Sequence, residues 1–292
     1  MNPATIGVLA AAASSALGGI AGGTTRFVIG ATDPVTLGVF RFGIGVLILL
    51  PVAIWRKSRW PQGRDWLPVI GLGLLFFFAF SVLFNTAYSY TTAARGALML
   101  STMPVLTMVV GAVFGVEQLT ARKTLGVLIA MGGVALALVT GLSSAPAGAW
   151  QGELVMLAAT FCISLYNVWS RPFIKRSDPL AFLTVGMSAA AIMLTVWSLL
   201  IGGFGAVAQF ELPQWIAVAY LGILGSALTF MLWVFALSRI SPTRAAVTIT
   251  VNPIMASIVG ALAIGEGIGL NLLVGVVAVA GGIWIASSEA RQ

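Results

Sequence analysis

Long apolar stretches alternate with short polar segments along the whole chain. A helix needs about 20 mostly apolar residues to cross the hydrocarbon core of a membrane. Open sheets leave backbone groups unsatisfied in lipid, and these stretches are far too long for barrel strands, so the pattern predicts an all-α integral membrane fold. The ten predicted spans are Thr5–Gly23, Val35–Trp55, Leu67–Ala87, Ala93–Phe114, Thr124–Leu142, Trp150–Val168, Leu180–Ile201, Trp215–Leu237, Thr243–Ile264 and Leu270–Ser287.

The second half of the chain repeats the first at a nearly constant spacing. An offset of 149 residues aligns Trp66 with Trp215, Gly73 with Gly222, Arg95 with Arg244, Pro104 with Pro253, Glu117 with Glu266 and Gly126 with Gly275. An offset of 145 aligns Asp33–Pro34 with Asp178–Pro179. We interpret residues 1–145 as one five-span repeat and 146–292 as a second, together forming one transmembrane domain. Because five is odd, the second repeat must enter from the opposite face, as in the inverted repeats of many secondary transporters.

Basic residues set the predicted orientation. With the N-terminus inside, twelve of the fifteen Lys and Arg residues fall on cytoplasmic segments, only Arg26 and Arg95 fall outside, and Arg41 lies within a span. The positive-inside rule therefore predicts cytoplasmic termini in a cell inner membrane. No basic residue precedes the first stretch, so we interpret it as a retained helix and not a cleaved signal peptide. The net charge of +7 then indicates contact with anionic lipid headgroups, and nucleic-acid binding is not implied.

Composition limits the available chemistry. Apolar residues make up 59% of the chain, charged residues 8%, and the mean hydropathy is +1.05. The sequence has no histidine and a lone Cys162, which excludes Ser-His catalysis, His-ligated metals and a disulfide framework. Walker sequences and paired intramembrane aspartates do not occur either. We expect neither enzymatic activity nor a metal or cofactor.

Two segments carry a family resemblance. The first is ARGALMLSTMPVLTMVVGAVFGVEQLTARKTLGVLIAMGGVAL, and the second is TRAAVTITVNPIMASIVGALAIGEGIGLNLLVGVVAVAGGIWIA. Each has the proline, the glutamate, the single glycine and the terminal glycine pair in the spacing of an EamA repeat. The chain thus resembles the ten-helix EamA branch of the drug/metabolite transporter superfamily over essentially its whole length. In size and aromatic content it is most similar to the aromatic amino-acid exporters. The resemblance implies a secondary transporter, commonly an exporter of amino acids or related metabolites, with its substrate cavity between the halves.

Two prolines near the centres of spans four and nine mark candidate helix bends. Pro104 and Pro253 are equivalent in the repeat, and a mid-helix proline removes one backbone hydrogen bond. Either they are tolerated kinks in packed helices or they form a functional bend beside the cavity. Around them, span nine offers hydrogen-bonding groups and span four offers adaptable thioethers, although the methionines fit equally well as core filler. The candidate cavity residues of these spans are Met99, Met103, Thr248 and Asn252.

Spans three, six and eight extend the candidate cavity. Polar atoms in hydrocarbon need partners, so polar and amphipathic side chains at helical spacing are the better candidates. Most of the run that includes Phe76, Phe77 and Phe80 is expected to contact lipid or neighbouring helices. Small residues of span one, such as Ser15, indicate close helix approach. The candidates are Phe78, Ser81, Asn85, Tyr88, Thr160, Ser164, Tyr166, Asn167, Thr229 and Trp233.

Arg41 is the one basic residue well inside a span. A central arginine costs about 2.5–3.5 kcal/mol on insertion scales, so it must face water or protein. It either binds an anion such as a substrate carboxylate, or extends outward and bonds to carbonyls near the outer face. Glu117 and Glu266 lie just beyond spans four and nine and fit a structural role. Without an acidic residue near the midplane, facilitated transport and proton coupling both stay open.

These features predict an exporter of neutral, aromatic or other bulky, amino acids and related metabolites that works by alternating access. Within the same class, the alternative is an exporter of amphipathic drugs or of another small metabolite. From other classes, the alternatives are a gated pore and a non-transporting membrane scaffold. The expected partners are a small-molecule substrate and the lipid bilayer. Glycines in spans five and ten are expected to pack these spans against each other or against another protomer, and the sequence leaves the oligomeric state open.

Overall fold

The computed structural model describes residues 2–91, 93–137, 148–255 and 270–287. All regular secondary structure in these ranges is helical, which confirms the all-α prediction. The helices are α1 Pro3–Val28, α2 Pro34–Trp55, α3 Trp66–Gly73, α4 Ser81–Tyr90, α5 Ala93–Leu100, α6 Met103–Val113, α7 Ala121–Ala137, α8 Ala149–Trp169, α9 Arg171–Arg176, α10 Pro179–Leu200, α11 Leu212–Gly222, α12 Thr229–Leu237, α13 Pro242–Val247 and α14 Leu270–Ser287.

Within the described ranges, seven helical rods are long and apolar enough to cross a membrane. They correspond to predicted spans one to four and six to eight. Span ten corresponds to α14, with a shorter apolar part at Val274–Ala286. Predicted spans five and nine extend beyond the described residues, so the count of ten stays a prediction. The seven rods are Pro3–Thr25, Pro34–Trp55, Gly63–Tyr90, Arg95–Val113, Ala149–Trp169, Pro179–Leu200 and Leu212–Leu237.

Helices α2, α10 and α13 each begin at a proline that follows a polar residue. Asp33 caps α2, because its carboxylate accepts two backbone N–H groups of the first turn at 2.9 Å. Asp178 does not cap α10. Its carboxylate accepts the backbone N–H of Arg59 at 2.7 Å and pairs with the Arg59 guanidinium at 3.5 Å. Ser241 makes no side-chain cap bond either, so of these three helices only α2 begins with a side-chain cap.

The central prolines lie at interruptions and not at simple kinks. Helix α5 ends at Leu100, and α6 begins at Met103, so Pro104 occupies the first turn of a new helix. A proline loses no helical hydrogen bond there, which corrects the expected mid-helix kink. In span nine, the 3₁₀ turn Thr248–Thr250 follows α13, and Pro253 lies in the helical residues 251–255. The two interruptions lie at equivalent positions of the repeat.

Spans three and eight each contain a π-helical segment. Leu74–Phe80 joins α3 to α4, and Ile223–Leu228 joins α11 to α12. An offset of 149 places Leu74 on Ile223, so the two segments begin at equivalent positions. A π segment rotates the helix face that follows it and is frequent at functional sites. Because both spans contain a π segment, the part of the molecule around the two segments is a candidate functional region.

Helix packing has the same pattern when the two halves are exchanged. Helix α2 packs along α10, and these are the second spans of the two repeats. Helix α4 packs on α8 as α12 packs on α1, and α3 packs on α10 as α11 packs on α2. Such matched pairs of contacts are what an internal pseudo-twofold axis between the two repeats produces. It brings α1, α2, α8 and α12 to a common interior.

Helices α7 and α14 form a closely packed pair. A β-carbon on Gly126 would lie 2.5 Å from the backbone nitrogen of Ala286, and one on Gly282 would lie 2.6 Å from that of Ala130. Small residues let two backbones approach this closely. Of the two arrangements expected for these glycines, the structure shows the packing of spans five and ten against each other.

Glu117 joins the two halves at the end of α6. Its Oε2 accepts from Lys123 Nζ at 2.9 Å, and its Oε1 accepts the backbone N–H of Thr243, at the start of α13, at 2.9 Å. The carboxylate thereby caps a helix of the other half. Glu117 is a structural helix-end residue, and its repeat partner Glu266 lies outside the described residues.

Candidate functional site

A narrow cavity lies in the interior, with walls from both halves of the chain. It encloses about 60 Å³. A cavity of about 150 Å³ holds one benzene ring, so an aromatic ligand requires the walls to separate further. The cavity is lined by Ser14, Ser15 and Gly18 of α1, Arg41 of α2, Phe76 and Phe80 of the first π segment, Phe84 of α4, Leu100 of α5, Ile163 of α8, Thr229, Phe230 and Trp233 of α12, and Ile249 and Asn252 of span nine.

Five aromatic side chains form one wall of the cavity, and we call them the aromatic wall: Phe76, Phe80, Phe84, Phe230 and Trp233. The first three follow each other at a spacing of four residues, with ring centroids 5.1 and 5.3 Å apart. Phe230 joins them edge-on, with its centroid 5.2 Å from that of Phe76. Offset and edge-on contacts of this kind are favourable beyond simple burial. The aromatic wall offers a large apolar surface to a flat ligand.

Arg41 lies inside the protein and lines the same cavity. Its side chain is 6% exposed, and its Nε donates to Ser226 Oγ at 3.1 Å, while Nη2 donates to the Gly225 carbonyl at 3.2 Å. The guanidinium carbon also lies 5.7 Å from the ring centroids of both Phe42 and Phe230. Arg41 is therefore held in the interior of the protein, where one of its two hydrogen bonds goes to a backbone carbonyl.

No carboxylate among the described residues neutralises Arg41. The ion pairs in this part of the chain join Arg59 to Asp178, Arg95 to Glu153, Lys123 to Glu117 and Arg176 to Asp65. Arg41 instead has neutral oxygens and ring faces around it. A buried charge that lacks a counter-ion is strongly destabilising. The cavity is consequently suited to an anionic group.

The hydroxyl groups around the cavity are mostly used within the protein. Ser14 Oγ donates to the Thr229 carbonyl at 2.7 Å, and Ser15 Oγ lies 3.1 Å from Thr248 Oγ1, where either hydroxyl can donate. Thr229 Oγ1 donates to the Leu224 carbonyl at 2.7 Å across the second π segment. These bonds connect α1 to spans eight and nine. They fix the polar rim of the cavity and use the protons of these hydroxyls within the protein.

Asn252 lies at this polar rim. It is 8% exposed, and its Oδ1 accepts no hydrogen bond within the described residues. A β-carbon on Gly18 would lie 3.4 Å from this oxygen. One on Gly19 would overlap the Asn252 carbonyl, so only glycine allows α1 to approach span nine here. Asn252 is thus held in place while one of its polar atoms stays unpaired.

Trp233 is oriented from behind by α8. Its Nε1 donates to Asn167 Oδ1 at 3.0 Å, and Asn167 Nδ2 donates weakly to Met103 Sδ at 3.8 Å. Asn167 and Met103 therefore stand behind the aromatic wall and not in the cavity. They support the position of the indole that lines it.

The predicted face of span three lies largely outside the cavity. Phe78 packs against Trp197, with ring centroids 5.5 Å apart. Asn85 Nδ2 donates to the Pro34 carbonyl at 3.0 Å, and Tyr88 packs edge-on against Phe84 at 4.9 Å. Ser81 is buried near Gly38 of α2. These side chains contribute to packing around the site.

The candidates on α8 and Met99 also stand apart from the cavity. Thr160 and Ser164 donate to carbonyls of their own helix, at 2.7 and 2.8 Å. The Tyr166 ring is fully buried behind Phe76, with centroids 4.4 Å apart. Met99 packs, half-buried, against the main core. Of the sequence candidates, Arg41, Thr229, Trp233 and Asn252 line the cavity, Thr248 bonds to its rim, and the rest surround it.

Sequence reasoning missed Phe76, Phe80, Phe84 and Phe230. Regular α-helical spacing through span three would place Phe78, Ser81 and Asn85 on the side that faces the cavity. The π segment Leu74–Phe80 breaks that spacing and turns other residues inward. The exact four-residue repeat of phenylalanines at 76, 80 and 84 was the available signal.

Comparison with known proteins identifies the family. The EamA-like transporter family matches residues 5–139 and again residues 150–288. An uncharacterized transporter of Bacillus subtilis, YyaM, is 25% identical over 272 residues, which cover 91% of this chain and 88% of the relative. A protein of Streptantibioticus cattleyicolor described as a probable terminal-alkyne amino-acid exporter is 29% identical over 211 residues, covering 71% of this chain and 68% of the relative.

A solved crystal structure has the same fold. It superposes with a TM-score of 0.75 at 21% sequence identity, and the match covers 97% of this chain and 96% of the other. At this identity, the similarity supports the fold alone.

Proposed function

The chain belongs to the EamA-like transporter family, and we propose that it exports neutral, aromatic or other bulky, amino acids and related metabolites. Family membership makes it a multi-pass membrane transporter of a small molecule. In the proposed mechanism, the two repeats rock against each other and expose the cavity alternately to either side of the cell inner membrane. Pro104 and Pro253, beside the interruptions of spans four and nine, mark the segments that bend.

Arg41 carries this proposal. A guanidinium that lines a cavity without a carboxylate partner is complementary to a substrate carboxylate, and charge-assisted bonds of this type are about twice as strong as neutral ones. Ser226 and Gly225 hold the side chain through two hydrogen bonds. Because the side chain is already ordered, less conformational entropy is lost when a ligand binds.

The aromatic wall supplies the second part of the argument. A carboxylate at Arg41 leaves the rest of a small ligand against Phe76, Phe80, Phe84, Phe230 and Trp233. This surface favours an apolar, flat or branched body. An aromatic or bulky amino acid has an ionic head and such a body. The relative described as a probable terminal-alkyne amino-acid exporter supports amino acids as the substrate.

Counterflow in proteoliposomes tests the proposal. The purified full-length protein is reconstituted with unlabelled phenylalanine inside, and uptake of labelled phenylalanine, tryptophan, leucine, glycine and lysine is followed. We expect saturable counterflow for the first three and little for glycine and lysine. Flux that does not saturate would indicate a gated pore, and no flux with any solute would indicate a scaffold. Exchange of amphipathic drugs without amino acids would favour the alternative substrate class.

Cysteine labelling tests the proposed orientation. The reagent must reach the introduced cysteine, so the experiment uses exposed positions and not the buried serines beside them, Ser58 and Ser177, which are 8% and 3% exposed. In a Cys162→Ala background, Lys57→Cys and Lys175→Cys are expected to react only from the cytoplasmic side, and Gly205→Cys only from outside. Reaction of both lysine positions from outside would reverse the assignment of the termini.

A further inference from the structure

We propose that Asn252 accepts a hydrogen bond from the α-ammonium group of the substrate and thereby selects α-amino acids over carboxylic acids of the same shape. This assignment rests on the proposed transport of amino acids. It adds a second anchor to the head-group site, on the opposite half of the chain from Arg41.

The unpaired oxygen of Asn252 is the first observation. Asn252 lines the cavity and is 8% exposed, yet its Oδ1 accepts no hydrogen bond in the described residues. Nearly all buried polar side-chain atoms in proteins have a partner. An orphan acceptor at a cavity wall is therefore explained by a donor that arrives with the ligand. An ammonium group carries such donors.

The hydroxyls at the rim each have a hydrogen bond within the protein. Ser14 Oγ donates to the Thr229 carbonyl, and Ser15 Oγ is bonded to Thr248 Oγ1, which itself donates to the Ala245 carbonyl. No Asp or Glu lines the cavity, so a fully charged partner for an ammonium is lacking among the described residues. Among the side-chain oxygens that line the cavity, the amide oxygen of Asn252 is the one that has no hydrogen bond within the described residues. A neutral acceptor suits a zwitterion whose carboxylate is already paired with Arg41.

Both anchors line the same narrow cavity, and α1 runs beside each of them. A β-carbon on Gly225, whose carbonyl holds Arg41, would lie 3.2 Å from Ala21 Cβ of α1. Gly18, about one turn earlier on α1, stands at Asn252. The carboxylate and ammonium of an α-amino acid share one carbon atom, so the proposal places one head group between the two anchors.

Matched ligands test the assignment. Binding of phenylalanine, 3-phenylpropanoate, which lacks the ammonium, and 2-phenylethylamine, which lacks the carboxylate, is measured by calorimetry on the purified protein. The wild type should bind phenylalanine about tenfold more tightly than 3-phenylpropanoate, as the loss of one charge-assisted hydrogen bond implies. Asn252→Leu should abolish this preference and leave 3-phenylpropanoate binding within about twofold. Thr250→Val, in the same segment but outside the cavity, is the control and should keep the preference.

A second variant, which keeps an acceptor oxygen at position 252, separates a loss of the hydrogen bond from a general loss of folding. Asn252→Asp retains an acceptor and adds a negative charge, so it should increase the preference for phenylalanine over 3-phenylpropanoate. Equal weakening of both ligands in Asn252→Leu, or a lowered preference in Asn252→Asp, would overturn the role of Asn252 and leave amino-acid transport standing. Failure of the wild type to bind any amino acid of the counterflow panel would overturn both proposals.

Discussion

The two π-helical segments have the same geometry and position in their repeats but opposite chemistry. The first, Leu74–Phe80, reads LLFFFAF and contributes Phe76 and Phe80 to the aromatic wall. The second, Ile223–Leu228, reads ILGSAL and holds Arg41 through Gly225 and Ser226. The first segment therefore supplies apolar surface, and the second fixes a cation that the first repeat contributes.

This difference shows how a duplicated transporter can bind an asymmetric solute. The repeat provides the same irregular backbone twice, at equivalent positions, and the two π segments contain side chains as different as phenylalanine and glycine. Specialisation then needs only side-chain changes. In the proposed site, the body of an amino acid contacts the first segment, and the guanidinium held by the second segment binds its head.

Arg41→Gln should have the largest effect. Removing one partner of a buried, charge-assisted contact typically costs about 2–5 kcal/mol, so amino-acid exchange should fall by about two orders of magnitude. Melting temperature should stay the same or rise, because the variant removes an uncompensated buried charge. Lys175→Gln, which removes an exposed charge, is the control. A lower melting temperature with normal exchange would mean that Arg41 only joins α2 to the second π segment.

Ser226→Ala should have the next largest effect. The substitution removes the hydrogen bond that Arg41 Nε donates to Ser226 Oγ and keeps the one that Arg41 Nη2 donates to the Gly225 carbonyl. A hydrogen bond to a charged group contributes about 1.5–3 kcal/mol, so phenylalanine affinity should weaken about tenfold. Ser177→Ala, which removes a bond within its own helix turn, should leave affinity unchanged. If the two variants behave alike, the second π segment does not orient the cation.

The sequence predicted the membrane spans well because each is a local property of composition. Helix α2, for example, is Pro34–Trp55, and the apolar stretch predicted Val35–Trp55. The repeat offset likewise identified both prolines and the equivalence of spans three and eight. Helices α2, α10 and α13 begin at Pro34, Pro179 and Pro242, each of which directly follows a polar residue in the sequence. None of these depends on long-range contacts.

The cavity could be predicted only in part because its lining depends on helix rotation and on partners far along the chain. Arg41 was a visible candidate, but its direction is set by Ser226, 185 residues away. Asn85 looked equally suitable, yet it bonds to the Pro34 carbonyl. The π segments leave no strong sequence mark, and they decide which phenylalanines face inward.

Phe80→Leu tests the first segment as an apolar surface for the substrate body. Aromatic pairs contribute about 0.5–1.5 kcal/mol beyond area burial, so affinity for phenylalanine should fall about fivefold while affinity for leucine changes little. Phe78→Leu is a matched control in the same π segment, because Phe78 packs against Trp197 away from the cavity. Equal losses for both ligands, or equal effects of both variants, would argue against an aromatic wall that contacts the substrate.

Asn167→Leu should have the smallest effect on binding, because it changes the aromatic wall from behind. Trp233 comes from α12, just beyond the second π segment, and its Nε1 donates to Asn167 Oδ1 at 3.0 Å. Without that acceptor, a buried N–H stays unpaired, which lowers the free energy of unfolding by about 1–3 kcal/mol. The indole itself remains in the cavity wall, so phenylalanine affinity should weaken only about threefold, less than one ordinary hydrogen bond contributes. Cys162→Ala, on the same helix and half-buried, should change neither quantity. Calorimetry beside thermal unfolding separates the two effects. An affinity loss as large as that of Ser226→Ala would place Asn167 in contact with the ligand. The apolar surface and the polar groups of the site would then no longer be divided between the two π segments.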